Sequence, residues 1–272
     1  MRFLALVASC LLALVLAGCG GDDESAGSPQ VTQPSVPVDT EPQSDEEERE
    51  DEDPIIISVY FLRDGQVGLA RRYAVEGEPR VGGVALKQLL GGPNAAERAA
   101  GLTTEIPAGT RLEQLSISDG VADAQFSRDL SPPATAQVVY TLTQFPTVRR
   151  VSVNGDRPLA RTDLEELTPP IFVETPAPGD DVSSPVRITG TANMFEATFQ
   201  VEVVDGNGKV VGKRFVTATS GSGMRGTFDA QVPFRVREKG PGKLLLFELS
   251  AEDGSRIHEV EIPLGLLPPA TS

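Results

Sequence analysis

The sequence predicts an α+β domain followed by an all-β sandwich, the pair carried behind an apolar leader and an acidic linker. Two observations carry this. Between residues 54 and 165 apolar residues fall partly at strand spacing and partly at helical spacing. From about residue 170 onward only short β-branched runs separated by turn signals remain. The composition agrees, because 27 Gly and 22 Pro beside 5% aromatic residues and no Trp suit a turn-rich protein with modest β cores.

The leader comes first in the chain. Arg2 precedes FLALVASCLLALVLAG, which is too short and too quickly followed by small residues for a spanning helix, and so reads as a secretory signal peptide over residues 1–18. Leu16-Ala17-Gly18-Cys19 resembles a bacterial lipobox, in which cleavage before the Cys follows transfer of a diacylglycerol to its sulfur. Cys19 is therefore the predicted lipid attachment site and the membrane anchor. Cys10 would leave with the leader, so neither disulfides nor thiolate catalysis are expected.

Residues 19–53 hold 13 acids and one base, and they account for most of the formal net charge of −15. With almost no large apolar side chain, this segment reads as a disordered leash. Its DEEEREDED run is read as solvated spacer, with a Ca²⁺ sponge or docking tail as alternatives. No basic, aromatic-interleaved stretch occurs, so nucleic acid is not an expected partner.

From Ile55 the texture changes. IIISVYFL and QVGLARRYAV flank the hairpin signal Arg63-Asp64-Gly65. Val81, Val84, Ala85 and Leu89 predict a helix stopped by Gly91-Gly92-Pro93. Asn94 with Glu97 three residues on predicts a capped helix closed by Gly101. Leu112 to Ile117 and Val121 to Phe126 form a second hairpin around Asp119-Gly120. Ser131-Pro132 opens a helix with Val138, Leu142 and Phe145 on one face, ending at Pro146. VRRVSVNG closes the unit as a strand. Without regular βαβ alternation, the class is α+β over residues 54–165. DLEELTPP (163–170) reads as a polar connector. IFVETP and the runs at 186–192, 195–205, 209–218, 226–234, 243–251 and 256–264 then give about seven strands, a sandwich over residues 170–267.

No catalytic set emerges. Gly221-Ser222-Gly223-Met224-Arg225-Gly226 matches the dinucleotide spacing, but a strand follows it instead of a helix N-terminus, so it reads as a hairpin loop. Asp205-Gly206-Asn207-Gly208 lacks the distal Glu of a Ca²⁺ loop and reads as a turn. His258 alternates in phase with Val260, Ile262 and Leu264, which predicts a residue packed at a core edge. Asp119, Asp123 and Asp129 are candidates for acid/base work on wall glycans, but their alternation points outward. Arg149-Arg150 beside Arg71-Arg72 reads as ordinary strand residues, with a basic patch for teichoic acid, phospholipid or an acidic partner as the alternative. The predictions are no catalytic residue, no metal ligand and no cofactor.

GPNAAERAAGLTTEIPAGTRLEQLSISDGVADAQFSRDL with TLTQFPTVRRVSVNGDRP resembles the GerMN domain, named from sporulation and spore-germination proteins. PGDDVSSPVRITGTANMFEATFQVEVVDGNGKVV with GTFDAQVPF and SAEDGSRIHEVEIPLG resembles the immunoglobulin-like domain of bacterial spore germination. The resemblance implies a GerMN-type α+β domain followed by an immunoglobulin-like sandwich. It also implies a non-enzymatic envelope lipoprotein that serves in assembly or docking on an envelope protein partner, in sporulation, germination or envelope maintenance. One departure is Gln125, where the family pattern places an Asp. The alternative is a wall-glycan or small-solute binding lipoprotein using the cleft between the domains.

Overall fold

The computed structural model describes residues 55–74, 81–221 and 223–269. The leader, Cys19 and the acidic linker lie outside the described residues. Strands β1 (Ile55–Arg63) and β2 (Gln66–Ala74) pair antiparallel from Ile55↔Ala74 to Arg63↔Gln66. Asp64 and Gly65 both adopt left-handed φ, 52° and 78°, which a two-residue turn between right-twisted strands requires. Helix α1 (Val81–Leu90) buries Val84, Ala85, Leu86 and Leu89. Helix α2 (Ala95–Ala99) is capped reciprocally by Asn94 and Glu97, as predicted.

Strands β3 (Leu112–Ser118) and β4 (Val121–Phe126) form the second hairpin, with Asp119 and Gly120 at φ 54° and 84°. Helix α3 (Pro132–Leu142), opened by Ser131, then carries the chain across to β5 (Arg150–Val153), which pairs parallel to β4. This sheet has the order β3-β4-β5 and contains one β-α-β crossover that the strand pattern alone did not reveal. The helix stops short of Phe145, and the Thr143 N–H and hydroxyl both donate to Val139 O at its end.

β1 and β2 do not join that sheet, so one edge of β1 needs other partners for its backbone. Helix α3 and the turn that follows it supply them. Gln144 Oε1 accepts from Ser58 N at 2.8 Å while its Nε2 donates to Ser58 O at 2.6 Å. Thr141 Oγ1 accepts from Tyr60 N at 3.1 Å, and Gln137 Nε2 reaches Tyr60 O at 3.4 Å. Leu62 exchanges backbone bonds with Thr103. Positions 137, 141 and 144 share one helical face, so a stripe of polar side chains serves in place of a neighbouring strand. That stripe explains why Gln137 and Thr141 are fully buried in an otherwise apolar core.

The stretch expected to be a plain connector is ordered. Arg161–Leu167 winds into 3₁₀ turns with Leu164 buried. The sandwich follows with β6 (Ile171–Thr175), β7 (Asp181–Val182), β8 (Val186–Ala192), β9 (Thr198–Asp205), β10 (Val210–Thr217), β11 (Gly226–Val232), β12 (Gly240–Leu249) and β13 (Arg256–Leu266). One sheet has the order β10-β9-β12-β13-β7 and the other β11-β8-β6. Phe199, Val201, Val203, Leu244, Leu246 and Phe228 lie among the residues that fill the space between them.

Two sandwich expectations are corrected. The run 195–205 is not one strand, because Phe195–Ala197 forms a 3₁₀ turn with Glu196 and Ala197 at φ 56° and 54° where the chain crosses from one sheet to the other. His258 is not packed at a core edge. The β12–β13 register slips between Leu246 and Glu248, and His258 sits at this bulge with φ 53°. The extra residue breaks the phase set by Val260 and Ile262, leaving the imidazole exposed with Nδ1 3.0 Å from Glu248 Oε2.

Candidate functional site: the junction between the domains

Four elements meet where the α+β domain joins the sandwich: β1, α3, the 161–167 turns and β6. Tyr60, Tyr140 and Phe172 form an aromatic cluster with ring centroids 5.5–6.1 Å apart. The Arg161 guanidinium lies over two of these rings, 5.2 Å from the centroid of Tyr60 and 4.6 Å from that of Tyr140. Each of its three nitrogens is engaged. Nη1 meets Glu174 Oε1 at 2.5 Å, Nε donates to Thr143 Oγ1 at 2.7 Å, and Nη2 donates to Tyr140 O at 3.1 Å. Tyr60 Oη donates to the same Glu174 oxygen at 3.1 Å, and the hydroxyls of Tyr140 and Thr168 are 2.6 Å apart. Burial pushes both tyrosine pKa values up, so each phenol is a neutral hydrogen-bonding group at neutral pH, unsuited to act as a nucleophile or base.

A second clasp closes the other side. Arg225 grips Glu165 with two bonds, Nε to Oε2 at 2.9 Å and Nη2 to Oε1 at 2.8 Å, and also donates to Pro169 O. Asn193 adds a bond from Nδ2 to Glu165 Oε1 at 2.8 Å. The Arg225 hydrogen bond, followed by that of Asn193, outweighs the opposing effect of burial and holds the Glu165 carboxyl below its usual range. A third contact joins Arg71 Nη1 to Asp180 Oδ2 at 2.6 Å. Between the hairpin tip and the sandwich lies a cleft of about 170 Å³, lined by Arg63, Val67, Leu69, Ile171, Val173 and Ile262 among others.

The residues singled out from sequence fall elsewhere. Arg71-Arg72 and Arg149-Arg150 do not form one patch, because they stand on different sheets and most are engaged. Arg71 meets Asp180, Arg72 grips Glu97 through two nitrogens, and Arg149 donates to Asp119 O. Asp119 sits in its turn, Asp123 accepts from Gln125 Nε2 at 2.7 Å, and Asp129 precedes α3; no hydrogen bond joins the three. Gln125 thus serves as a donor to Asp123. Asp205 Oδ1 accepts from the backbone of Asn207 and Lys209, an ordinary turn. Among the described residues, no group of three His, Cys, Asp or Glu is placed to hold a metal ion. The Gly221–Gly226 loop is a connection between strands, and its unforeseen task is to present Arg225.

Fold and junction together define a class: a small α+β domain fastened by half-buried ion pairs to a β-sandwich. The comparisons then give the families. Residues 58–156 match the model described as sporulation and spore germination, and residues 170–255 match the immunoglobulin-like domain of bacterial spore germination. The protein is therefore a GerMN-domain protein with a C-terminal immunoglobulin-like domain of bacterial spore germination. Neither domain belongs to a known enzyme family.

Among solved structures, the chain is similar to the tandem GerMN domains of the sporulation protein GerM from Bacillus subtilis, at 22% identity and a TM-score of 0.35, over 39% of this chain and 44% of that one. It thus spans less than half of that structure. The first GerMN domain of the same protein is similar at 21% identity and a TM-score of 0.34, over 40% of this chain and 99% of that one. A putative lipoprotein from Clostridium perfringens is similar at 20% identity and a TM-score of 0.28, over 42% and 93%. No curated protein matches the chain.

Proposed function

We propose that this protein is a non-enzymatic cell-envelope lipoprotein, held to the membrane by a lipid on Cys19, whose fused two-domain body docks on another envelope protein during sporulation, germination or envelope maintenance. The observation that carries the reading is the junction. Its strongest polar groups, Arg161, Glu174, Arg225 and Glu165, are spent on holding the domains together and not on a reacting centre. A rigid body on a long leash suits assembly, because binding then costs little internal ordering. Strand addition is a natural mode, since β3 and β10 are edge strands of their sheets.

The test is in-cell crosslinking with mass spectrometry, comparing the native protein with Cys19→Ala, alongside labelling with a palmitate analogue. A defined envelope partner that disappears with the anchor is the expected result. Loss of neither label nor partner in Cys19→Ala would sink the lipoprotein reading. The cleft of about 170 Å³ between the domains favours a second reading, a binder of wall glycan or a small solute. Retention on purified peptidoglycan would decide for it, because a protein-docking module stays in the supernatant.

A further inference from the structure

The two ends of the sandwich differ in charge and in texture. Strand β9 starts at one end and finishes at the other, and β12 runs the opposite way. At about 3.3 Å per residue the ends are roughly 30 Å apart. One end, made by the β9–β10 turn and the segment before β12, holds a cleft of about 720 Å³ flanked by Lys209, Arg235, Arg237 and Lys239 against Asp205 and Glu238. All four cations are exposed. Lys239 meets Asp181 at 2.6 Å, while Arg235 and Arg237 make no ion pair among the described residues. Val211, Val236, Pro241 and Leu266 also line this predominantly polar cleft.

The opposite end carries the complement. The β12–β13 turn presents Glu252 and Asp253, and Glu196 stands on the 3₁₀ turn beside it, all exposed. Between them lie Phe195 and Phe215, each 63% exposed, and Leu249 at 45%, around a shallow groove. Large apolar side chains this open, set within an acidic rim, mark an interaction surface. Glu196 and Ala197 also hold left-handed backbone away from any hairpin tip, the kind of local strain that gathers at binding surfaces.

We propose that the sandwich associates head to tail with a second copy of this chain, the acidic and apolar end of one molecule entering the basic cleft of the next. Both halves of the contact are on one molecule, and their charges are opposite. Such an interface is heterologous and does not close on itself, so it builds linear chains, not two-fold dimers. Each ionic contact is solvent-exposed and weak singly. Association is therefore salt-sensitive, and it is strengthened where the molecules share a membrane surface, by raising their effective concentration to about the millimolar range. The inference does not depend on the anchor, and the test is made without it.

The test uses the mature chain with Cys19→Ser in solution up to about 1 mM. Sedimentation velocity should show a ladder of oligomers growing with concentration, and association should weaken at least tenfold between about 0.1 and 1 M salt. R235E/R237E disables the basic end and F195S/F215S, at two side chains each 63% exposed, the apolar and acidic end. Each variant alone should stay monomeric, with unchanged circular dichroism and melting. Mixed, the two should give a dimer and nothing longer, because one intact end of each kind remains. A native chain that stays monomeric throughout would overturn the proposal. So would self-association of either variant alone, or a mixture that forms no dimer.

Discussion

Replacing Arg161 by Gln tests the junction most directly. The guanidinium stacks on two tyrosine rings and bonds to Glu174, Thr143 and the Tyr140 carbonyl. A desolvated cation–π contact contributes about 0.5–2 kcal/mol and a hydrogen bond to a charged group about 1.5–3 kcal/mol. The Arg161 and Glu174 side chains keep 25% and 31% of their surface, so solvent screens the pair and the larger values do not apply. Gln restores part of one bond. The expected loss is about 2–4 kcal/mol, a fall in Tm of roughly 5–15 °C for a body of this size. More telling is its form. If the junction couples the domains, the native chain melts in one calorimetric transition while Arg161→Gln melts in two, and Arg161→Lys, which keeps the charge without the planar fork, falls between. A variant that melts in a single transition within a degree or two of the native protein would refute the reasoning.

Three further outcomes follow from the geometry. Thr141→Val keeps the volume but leaves Tyr60 N–H buried without an acceptor, so chemical denaturation should show a loss of about 1–3 kcal/mol, and no loss would mean that the α3 stripe does not serve the β1 edge. Gly190→Ala would set a Cβ 2.0 Å from Phe172 O and 2.7 Å from Phe228 Cζ, so expression should yield little folded protein, whereas Gly240→Ala, which meets nothing within 4 Å, should express normally. Because the Glu165 carboxyl is held below its ordinary value of 4.5, its grip on Arg225 is fully present above that pH and is lost as pH falls through the depressed folded value. Protease nicking of the 161–170 segment should thus rise in the native chain as pH falls through that depressed value, and in Glu165→Gln it should already be high at neutral pH.

The parts legible in the sequence are those whose cause lies within a few residues. Asp64-Gly65 and Asp119-Gly120 announced their turns because left-handed backbone restricts residue choice, and Asn94 with Glu97 announced a cap because both partners of the capping box are local. The junction was not legible, because Arg161 depends on Glu174 across a domain boundary and Glu165 depends on Arg225, 60 residues later. His258 misled for a related reason: the alternation of β13 reads as unbroken, and the bulge that resets it is fixed by the register with β12. The parallel placement of β5 was equally hidden, since a short strand after a helix reads alike in either direction. Gln137 and Thr141 look like surface residues of α3 and prove to be buried, because their partner is strand backbone that carries no sequence signal.

The polar stripe on α3 has a consequence for assembly. A hairpin standing alone offers bare amides to any passing strand, and here one margin is closed by Gln144, Thr141 and Gln137 before a visitor can arrive. Because those side chains reproduce the donors and acceptors of a missing neighbour without its main chain, the growth of β1 into a larger sheet ends there. The molecule can thus be crowded with identical copies without zipping through β1, and strand addition is left to the edges that no side chain closes.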